Sequence, residues 1–235
     1  MYTETAELYD LFYDWKDYAR EAARVNELIQ SRSSGARSLL DVACGTGRHI
    51  EHLRAWYEVE GVDLDEGLLA VARGRLPGVS LGMADMRDFD LGRRFDVVTC
   101  LFSSIGYAQT PDALRSSVAA MARHLAPDGL LIVEPWLSPS TFDPAHPARV
   151  IVVEQPDLVG VRLNDSRVEG SLSIMNFHYL VLHPGRPMEH LVEEHTLGLF
   201  TDDEYAGAFE AAGLAPEHDA EGLMWRGLWI GQART

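Results

Sequence analysis

The chain has 235 residues, enough for one sizeable α/β domain, or for one domain plus a small appendage. Twenty basic residues stand against 36 acidic ones, a formal net charge of −16, and so acidic a surface repels nucleic-acid backbones and anionic lipid headgroups. The expected partner is a small molecule, neutral or cationic, or else anionic and gripped by a few local donors.

Cys44 and Cys100 are too few for a disulfide scaffold, and their apolar surroundings predict reduced core thiols. The first residues, Met1 to Thr5, show no basic-then-apolar leader, and no apolar run reaches membrane-spanning length. A soluble, cytoplasmic protein is expected. His178, His183, His190 and His195 lack the spacing of a zinc site, so no metal is expected. Lys16 is the only lysine among the 20 basic residues, which singles it out.

Residues 5–31 carry apolar positions at helical spacing and read as one helix, with an aromatic-rich front at Tyr9, Phe12, Tyr13, Trp15 and Tyr18. From residue 38, short apolar runs (38–42, 58–62, 79–83, 95–100, 129–133) alternate with helical patterns near 47–57, 66–75 and 112–125. That alternation predicts a mostly parallel sheet with helices on both faces. After Pro135 the rhythm changes: strand-like runs at 150–154, 159–163, 172–182 and 191–200 are joined by turns without helices. They predict an antiparallel insertion. A helix near 202–213 and a strand near 224–231 complete the chain. The expected organisation is a lid and core over 1–136, an insertion over 137–200, and a C-terminal helix and strand over 201–235.

The segment Leu40-Asp41-Val42-Ala43-Cys44-Gly45-Thr46-Gly47 ends a buried strand in an acid and runs through two glycines towards a helix. Glycine allows positive φ and close approach of a ligand. The third glycine of a pyrophosphate-binding fold is missing. Asp41, Asp63 and Asp85 follow at equal spacing, each at the C-terminal end of a predicted strand, where doubly wound sheets bind ligands. Asp63 is placed to accept from both hydroxyls of a ribose, and Asp85 to take an adenine amino group with Met86 against the ring.

These motifs resemble those of class I S-adenosylmethionine (AdoMet) methyltransferases. The resemblance implies a Rossmann-like seven-stranded sheet with its last strand antiparallel, and AdoMet as cofactor lying along Lys16, Tyr18, Ala43, Gly45, Gly47, Asp63, Leu64, Asp85, Met86 and Leu101. A narrower resemblance, carried by Asp85-Met86-Arg87-Asp88-Phe89, Phe102-Ser103-Ser104-Ile105-Gly106-Tyr107, Val133-Glu134-Pro135-Trp136 and Arg226-Gly227-Leu228, is to the N,N-dimethyltransferases of TDP-3-amino deoxysugars in macrolide-type antibiotic biosynthesis. It implies a homodimer and two methyl transfers to the amine of a nucleotide-linked sugar.

Methyl transfer needs a neutral amine aligned with the methyl carbon. Tyr107, at the end of the fourth strand, is the first choice to orient it; Glu134 and His178 are further candidates. Arg162, Asn164, Ser166 and Arg226 are expected to hold the diphosphate, Tyr9 and Tyr13 to form a lid, and Trp136 to stack on sugar or base. The alternatives are a methyltransferase of the same fold acting on another natural-product amine or hydroxyl, and a non-catalytic AdoMet-binding protein.

Overall fold

The computed structural model describes residues 6–145 and 150–233. The residue-5 start of the expected first helix and the outer ends of the first and last expected units lie outside the described residues. The N-terminal region forms two helices where the periodicity suggested one, α1 (Ala6–Phe12) and α2 (Tyr18–Arg32). The break falls at Asp17, whose carboxylate accepts from Arg20 N at 2.9 Å and caps a new helix. The two helices bury apolar residues in different places: Leu8, Leu11 and Phe12 of α1 against the second sheet, Ala22, Val25, Leu28 and Ile29 of α2 against the core.

The core follows as β1 (Ser38–Val42), α3 (Arg48–Leu53), β2 (Glu58–Asp63), α4 (Glu66–Arg75), β3 (Ser80–Met83), β4 (Phe95–Cys100), a 3₁₀ turn over Ser104–Ala108, α5 (Pro111–Arg123) and β5 (Leu125–Val133). Four further strands come next, β6 (Ile151–Gln155), β7 (Leu158–Glu169), β8 (Leu172–Leu182) and β9 (Glu189–Gly198). The chain closes with α6 (Asp202–Ala211), β10 (Leu214–Asp219) and β11 (Leu228–Ala233). Local chemistry sets the helix starts. Thr110 accepts from Ala113 N ahead of Pro111 in α5, and Thr201 forms a reciprocal capping box with Glu204 in α6.

The larger sheet has seven strands in the order β10-β11-β5-β4-β1-β2-β3. β3, β2, β1, β4 and β5 pair in parallel, and β11 is antiparallel to both its neighbours, as the expected class I arrangement requires. Leu39, Leu40, Val97, Val98 and Leu130 to Val133 are buried because helices cover both faces, which is why these strands read as unbroken apolar runs. β10 escaped the sequence reading. It lies at the sheet edge, carries Pro216, Glu217, His218 and Asp219, and needs little apolar character there.

Strand order reverses at β1, with β2 on one side and β4 on the other, which opens a crevice beyond the C-terminal strand ends. The second sheet, β6-β7-β8-β9, is wholly antiparallel. Its inner face packs Phe177, Tyr179, Val181 and Leu197 around Phe12 of α1, with the Phe12 and Tyr179 rings 5.2 Å apart. The four-stranded sheet and the N-terminal helices thereby roof the crevice. Cys44 and Cys100 are free and buried. Among the described residues no helix is long and apolar enough to cross a membrane.

Candidate active site

A cavity of about 780 Å³ lies between the strand ends of the core and the inner face of the second sheet. Of the residues singled out in the sequence, Tyr9, Tyr13, Ala43, Gly45, Asp63, Leu64, Asp85, Met86, Tyr107, Trp136, Arg162, Asn164, Ser166 and Arg226 line it. A smaller pocket adjoins it, lined by Tyr18, Asp41, Thr46, Arg48, His49 and Leu101, and sharing Tyr9, Ala43 and Gly45.

The core wall is built by turns whose backbone leaves the usual region. Ala43, Gly45 and Gly47 have φ of 58°, 57° and 77°, and Phe102 and Ser103 have φ of 53° and 61°. The two glycines do different jobs. A Cβ on Gly45 would meet nothing within 4 Å, so this residue keeps the cavity wall bare. A Cβ on Gly47 would lie 2.4 Å from Leu76 Cδ1, so Gly47 lets α3 and α4 pack. Gly47 lines neither pocket, although its neighbours Thr46 and Arg48 line the smaller one.

Asp63 is buried at the cavity edge. Its Oδ2 accepts from Gly45 N at 2.7 Å and its Oδ1 from Asp65 N at 2.9 Å, which locks the β1 and β2 turns together. Burial pushes its carboxyl up, against the pull of these N–H groups. Each oxygen keeps a second lone pair for a diol. Asp85 is held by Arg87, whose Nε donates at 2.9 Å, and this pairing pulls the Asp85 carboxyl down. Asp41 is deeper. It accepts from Thr99 Oγ1 at 2.8 Å, and burial raises its pKa to about 7.

Lys16 lines neither pocket but sits directly behind Tyr18 and Phe102, which do. It is buried, pairs with Glu21, donates to Met224 Sδ at 3.2 Å and sits 4.4 Å above the Phe102 ring. Glu21 also meets His49 Nε2 at 2.8 Å. The lone lysine thus ties the N-terminal segment to α3, through Glu21 and His49, and to the loop before β11.

The opposite wall depends on strand parity. Arg162, Asn164 and Ser166 alternate along β7 and share its inner face, opposite Tyr179, Phe177 and Met175 of β8. The Arg162 guanidinium packs 4.6 Å from the Tyr13 ring centre and 4.8 Å from that of Phe177. Arg226 donates to Ser103 Oγ at 2.6 Å and lies 3.5 Å from Glu134 Oε1. Glu134 is fully buried and accepts from Phe102 N at 2.6 Å. It fixes the strained 102–103 turn and is spoken for as an amine ligand.

His178 is excluded by the same parity. It lies on the outer face of β8, stacked on His190 and 3.5 Å from Asp165, and lines neither pocket. His195 lines neither pocket but lies buried directly behind Tyr107, which does. Its Nδ1 is 2.8 Å from Tyr107 Oη. Alternation along β9 carried that signal: Glu193, His195 and Leu197 share the buried face.

The donor set fits AdoMet. Two strand-end carboxylates, a bare glycine wall and the apolar Met86 suit a nucleoside. Tyr18 Oη is buried in the smaller pocket with no hydrogen-bond partner among the described residues, and it suits the amino-acid end.

The methyltransferase-domain family model matches residues 39–129. A curated relative from Streptomyces venezuelae, dTDP-3-amino-3,4,6-trideoxy-alpha-D-glucopyranose N,N-dimethyltransferase, is 43% identical over 229 residues, covering 96% of each chain. The crystal structure of Streptomyces venezuelae DesVI superposes with a TM-score of 0.93 at 42% identity, covering 98% of this chain and 99% of that one. CalS10, an amino pentose methyltransferase from Micromonospora echinaspora whose structure holds AdoMet, superposes with a TM-score of 0.85 at 38% identity, covering 93% and 92%. With its strand-end acids, its roofed cavity and this end-to-end likeness, the chain belongs to the family of AdoMet-dependent sugar N-methyltransferases.

Proposed function

We propose that this enzyme N,N-dimethylates the amine of a dTDP-linked 3-amino deoxysugar in the making of an antibiotic sugar. The observation that carries the reading is that one cavity brings Gly45, Asp63 and Asp85 of the core together with Tyr107, Trp136, Arg162 and Arg226. It has room for a nucleoside and a nucleotide sugar to meet end to end.

AdoMet, when bound, supplies a methyl carbon activated by a sulfonium. Asp63 holds the ribose hydroxyls, Asp85 and Met86 the adenine, and Tyr18, Ala43 and Leu101 the amino-acid end. Tyr107 accepts a hydrogen bond from the sugar amine and turns its lone pair towards the methyl carbon. Arg162 and Arg226, with Asn164 and Ser166, hold the diphosphate, a local cationic strip in an otherwise acidic protein. Tyr9 and Tyr13, whose ring centres lie 4.7 Å apart, close over the reacting atoms and exclude water. The 137–200 insertion is the acceptor-binding unit, between the 1–136 core and the 201–235 segment that completes the sheet.

Incubation with AdoMet and a dTDP-3-amino deoxysugar, read by mass spectrometry, is expected to give successive products with one and two added methyl groups on nitrogen. A single methyl on oxygen, or none, overturns the reading.

The protein is proposed to be a cytoplasmic homodimer joined through the outer face of the second sheet, where Val152, Val159, Leu182 and Val192 are exposed. The double substitution Leu182→Glu and Val192→Glu is expected to halve the mass measured by light scattering. An unchanged mass refutes this interface.

A further inference from the structure

Behind Tyr107 the second sheet carries a buried polar relay. Tyr107 Oη lies 2.8 Å from His195 Nδ1, and His195 Nε2 lies 3.5 Å from Glu193 Oε2. His195 is 1% exposed and Glu193 is buried as well. The imidazole is clamped by the Phe177 ring, 4.7 Å away, and by Met175, its partner across the ladder. Among the described residues, the titratable groups that face it are Glu193 on its own strand and Tyr107 on the 3₁₀ turn; Tyr179 of β8 and Arg162 of β7 lie beyond Glu193 and Phe177, and Tyr9 of α1 lies beyond Tyr107.

The amine chemistry creates a demand for such a group. Alkylamines are mostly protonated at neutral pH, and an ammonium has no lone pair. The first methylation leaves a secondary ammonium on the sugar, which must lose a proton before a second transfer to the same nitrogen. A phenol already holds its hydrogen, so it takes a proton from an amine only if its own hydrogen moves on. His195 Nδ1, 2.8 Å from the phenol oxygen, is placed to accept that hydrogen.

We propose that His195, backed by Glu193, receives the proton of the substrate ammonium through Tyr107; this rests on the amine-methylation reading above. One N–H bond of the ammonium breaks and its electron pair stays on nitrogen. The proton forms a bond to Tyr107 Oη as that oxygen's own hydrogen passes to His195 Nδ1. The positive charge moves from the amine to an imidazolium next to the Glu193 carboxylate, and the imidazolium later returns its proton to water. His195 touches no substrate. It is a positioning and relay residue that acts through Tyr107, and it resets the nitrogen before each transfer.

The test is kcat against pH, at saturating AdoMet and aminosugar nucleotide, for the wild type and for His195→Asn, Glu193→Gln and Tyr107→Phe. Asn places its Oδ1 near the position of Nδ1, so it keeps a contact for the tyrosine hydroxyl but takes no proton. His195→Asn is expected to lose at least about tenfold in kcat at pH 7, within the usual range for acid–base catalysis. The deficit should shrink about tenfold per pH unit as the solution grows alkaline and water takes the proton. Glu193→Gln is expected to shift the acid limb, and it reads the same relay should His195→Asn fail to fold. Histidine ¹⁵N NMR of the resting enzyme is expected to show Nε2 protonated and Nδ1 as acceptor. Variant profiles parallel to the wild type, or a hydrogen on Nδ1, overturn the relay while leaving dimethylation standing. A wild type that methylates no amine at any pH overturns the underlying reading instead.

Discussion

Replacing Asp63 with alanine tests the donor half of the site. The carboxylate serves two buried backbone donors, Gly45 N at 2.7 Å and Asp65 N at 2.9 Å. Leaving such donors unpaired costs about 1–3 kcal/mol each. Stability should therefore drop by roughly 2–4 kcal/mol, since Gly45 N opens towards the cavity and regains water. Hydrogen bonds from a ribose diol to a charged acceptor are worth about 1.5–3 kcal/mol each. Losing them, together with the turn that Asp63 fixes, predicts AdoMet affinity weaker by at least roughly 100-fold. Titration calorimetry with AdoMet or its demethylated product measures that loss, and thermal denaturation measures the stability term separately. A pH series adds a sign. Burial raises the Asp63 pKa, so protonation removes the acceptor above the ordinary aspartate range, and wild-type affinity should fall as pH drops towards it. In Asp63→Asn that pH dependence should vanish. Wild-type affinity in Asp63→Ala would refute the placement of the nucleoside.

Asp41 provides a stability test. Its pKa of about 7 in the fold, against roughly 3.9 unfolded, makes its contribution full below about pH 4 and lost as pH rises through 7. Asp41→Asn, still accepting from Thr99, should flatten that decline and be more stable than wild type at pH 8 by up to roughly 4 kcal/mol in denaturant titrations, converging at pH 4. The two motif glycines should separate. Gly47→Ala puts a methyl 2.4 Å from Leu76 Cδ1 at positive φ and should cost about 2–5 kcal/mol of stability. Gly45→Ala should cost only about 1–2 kcal/mol in a thermal melt but weaken AdoMet binding, because it roughens a bare wall. Arg226→Met strips a paired cation from the fully buried Glu134 and should destabilise by about 3–5 kcal/mol, less as the pH is lowered, because the raised Glu134 pKa favours the protonated fold in acid. Adding Glu134→Gln should recover most of that loss in denaturant titrations.

The donor half was legible in the sequence because its chemistry is local. Asp41, Asp63 and Asp85 each end their own strand, and a strand end can be read from the apolar run before it. The alternation of β and α segments then puts those ends side by side without further information. Even there, Gly47 and Lys16 show the limit. Whether a glycine faces a ligand or a neighbouring helix depends on Leu76, far along the chain, and whether a lysine reaches a pocket depends on Glu21 and Met224. Spacing carries neither fact.

The acceptor half depends on register. Parity along β8 separates Phe177 and Tyr179, facing in, from His178, facing out, and reading the buried aromatics as one face would have rejected His178 from sequence alone. The meeting of Tyr107 with His195 is of another order. It needs β8 and β9 paired so that Met175 lies opposite His195, and the 3₁₀ turn after β4 seated against that strand, with Gly106 so close to Leu197 that a Cβ would lie 2.8 Å from it. A turn of the core and a strand of the inserted sheet, 88 residues apart in the chain, meet at that contact. A one-residue slip in β9 would send His195 to the outer face and leave Tyr107 without its acceptor. The register of the inserted sheet is thus a chemical specification as much as a packing one.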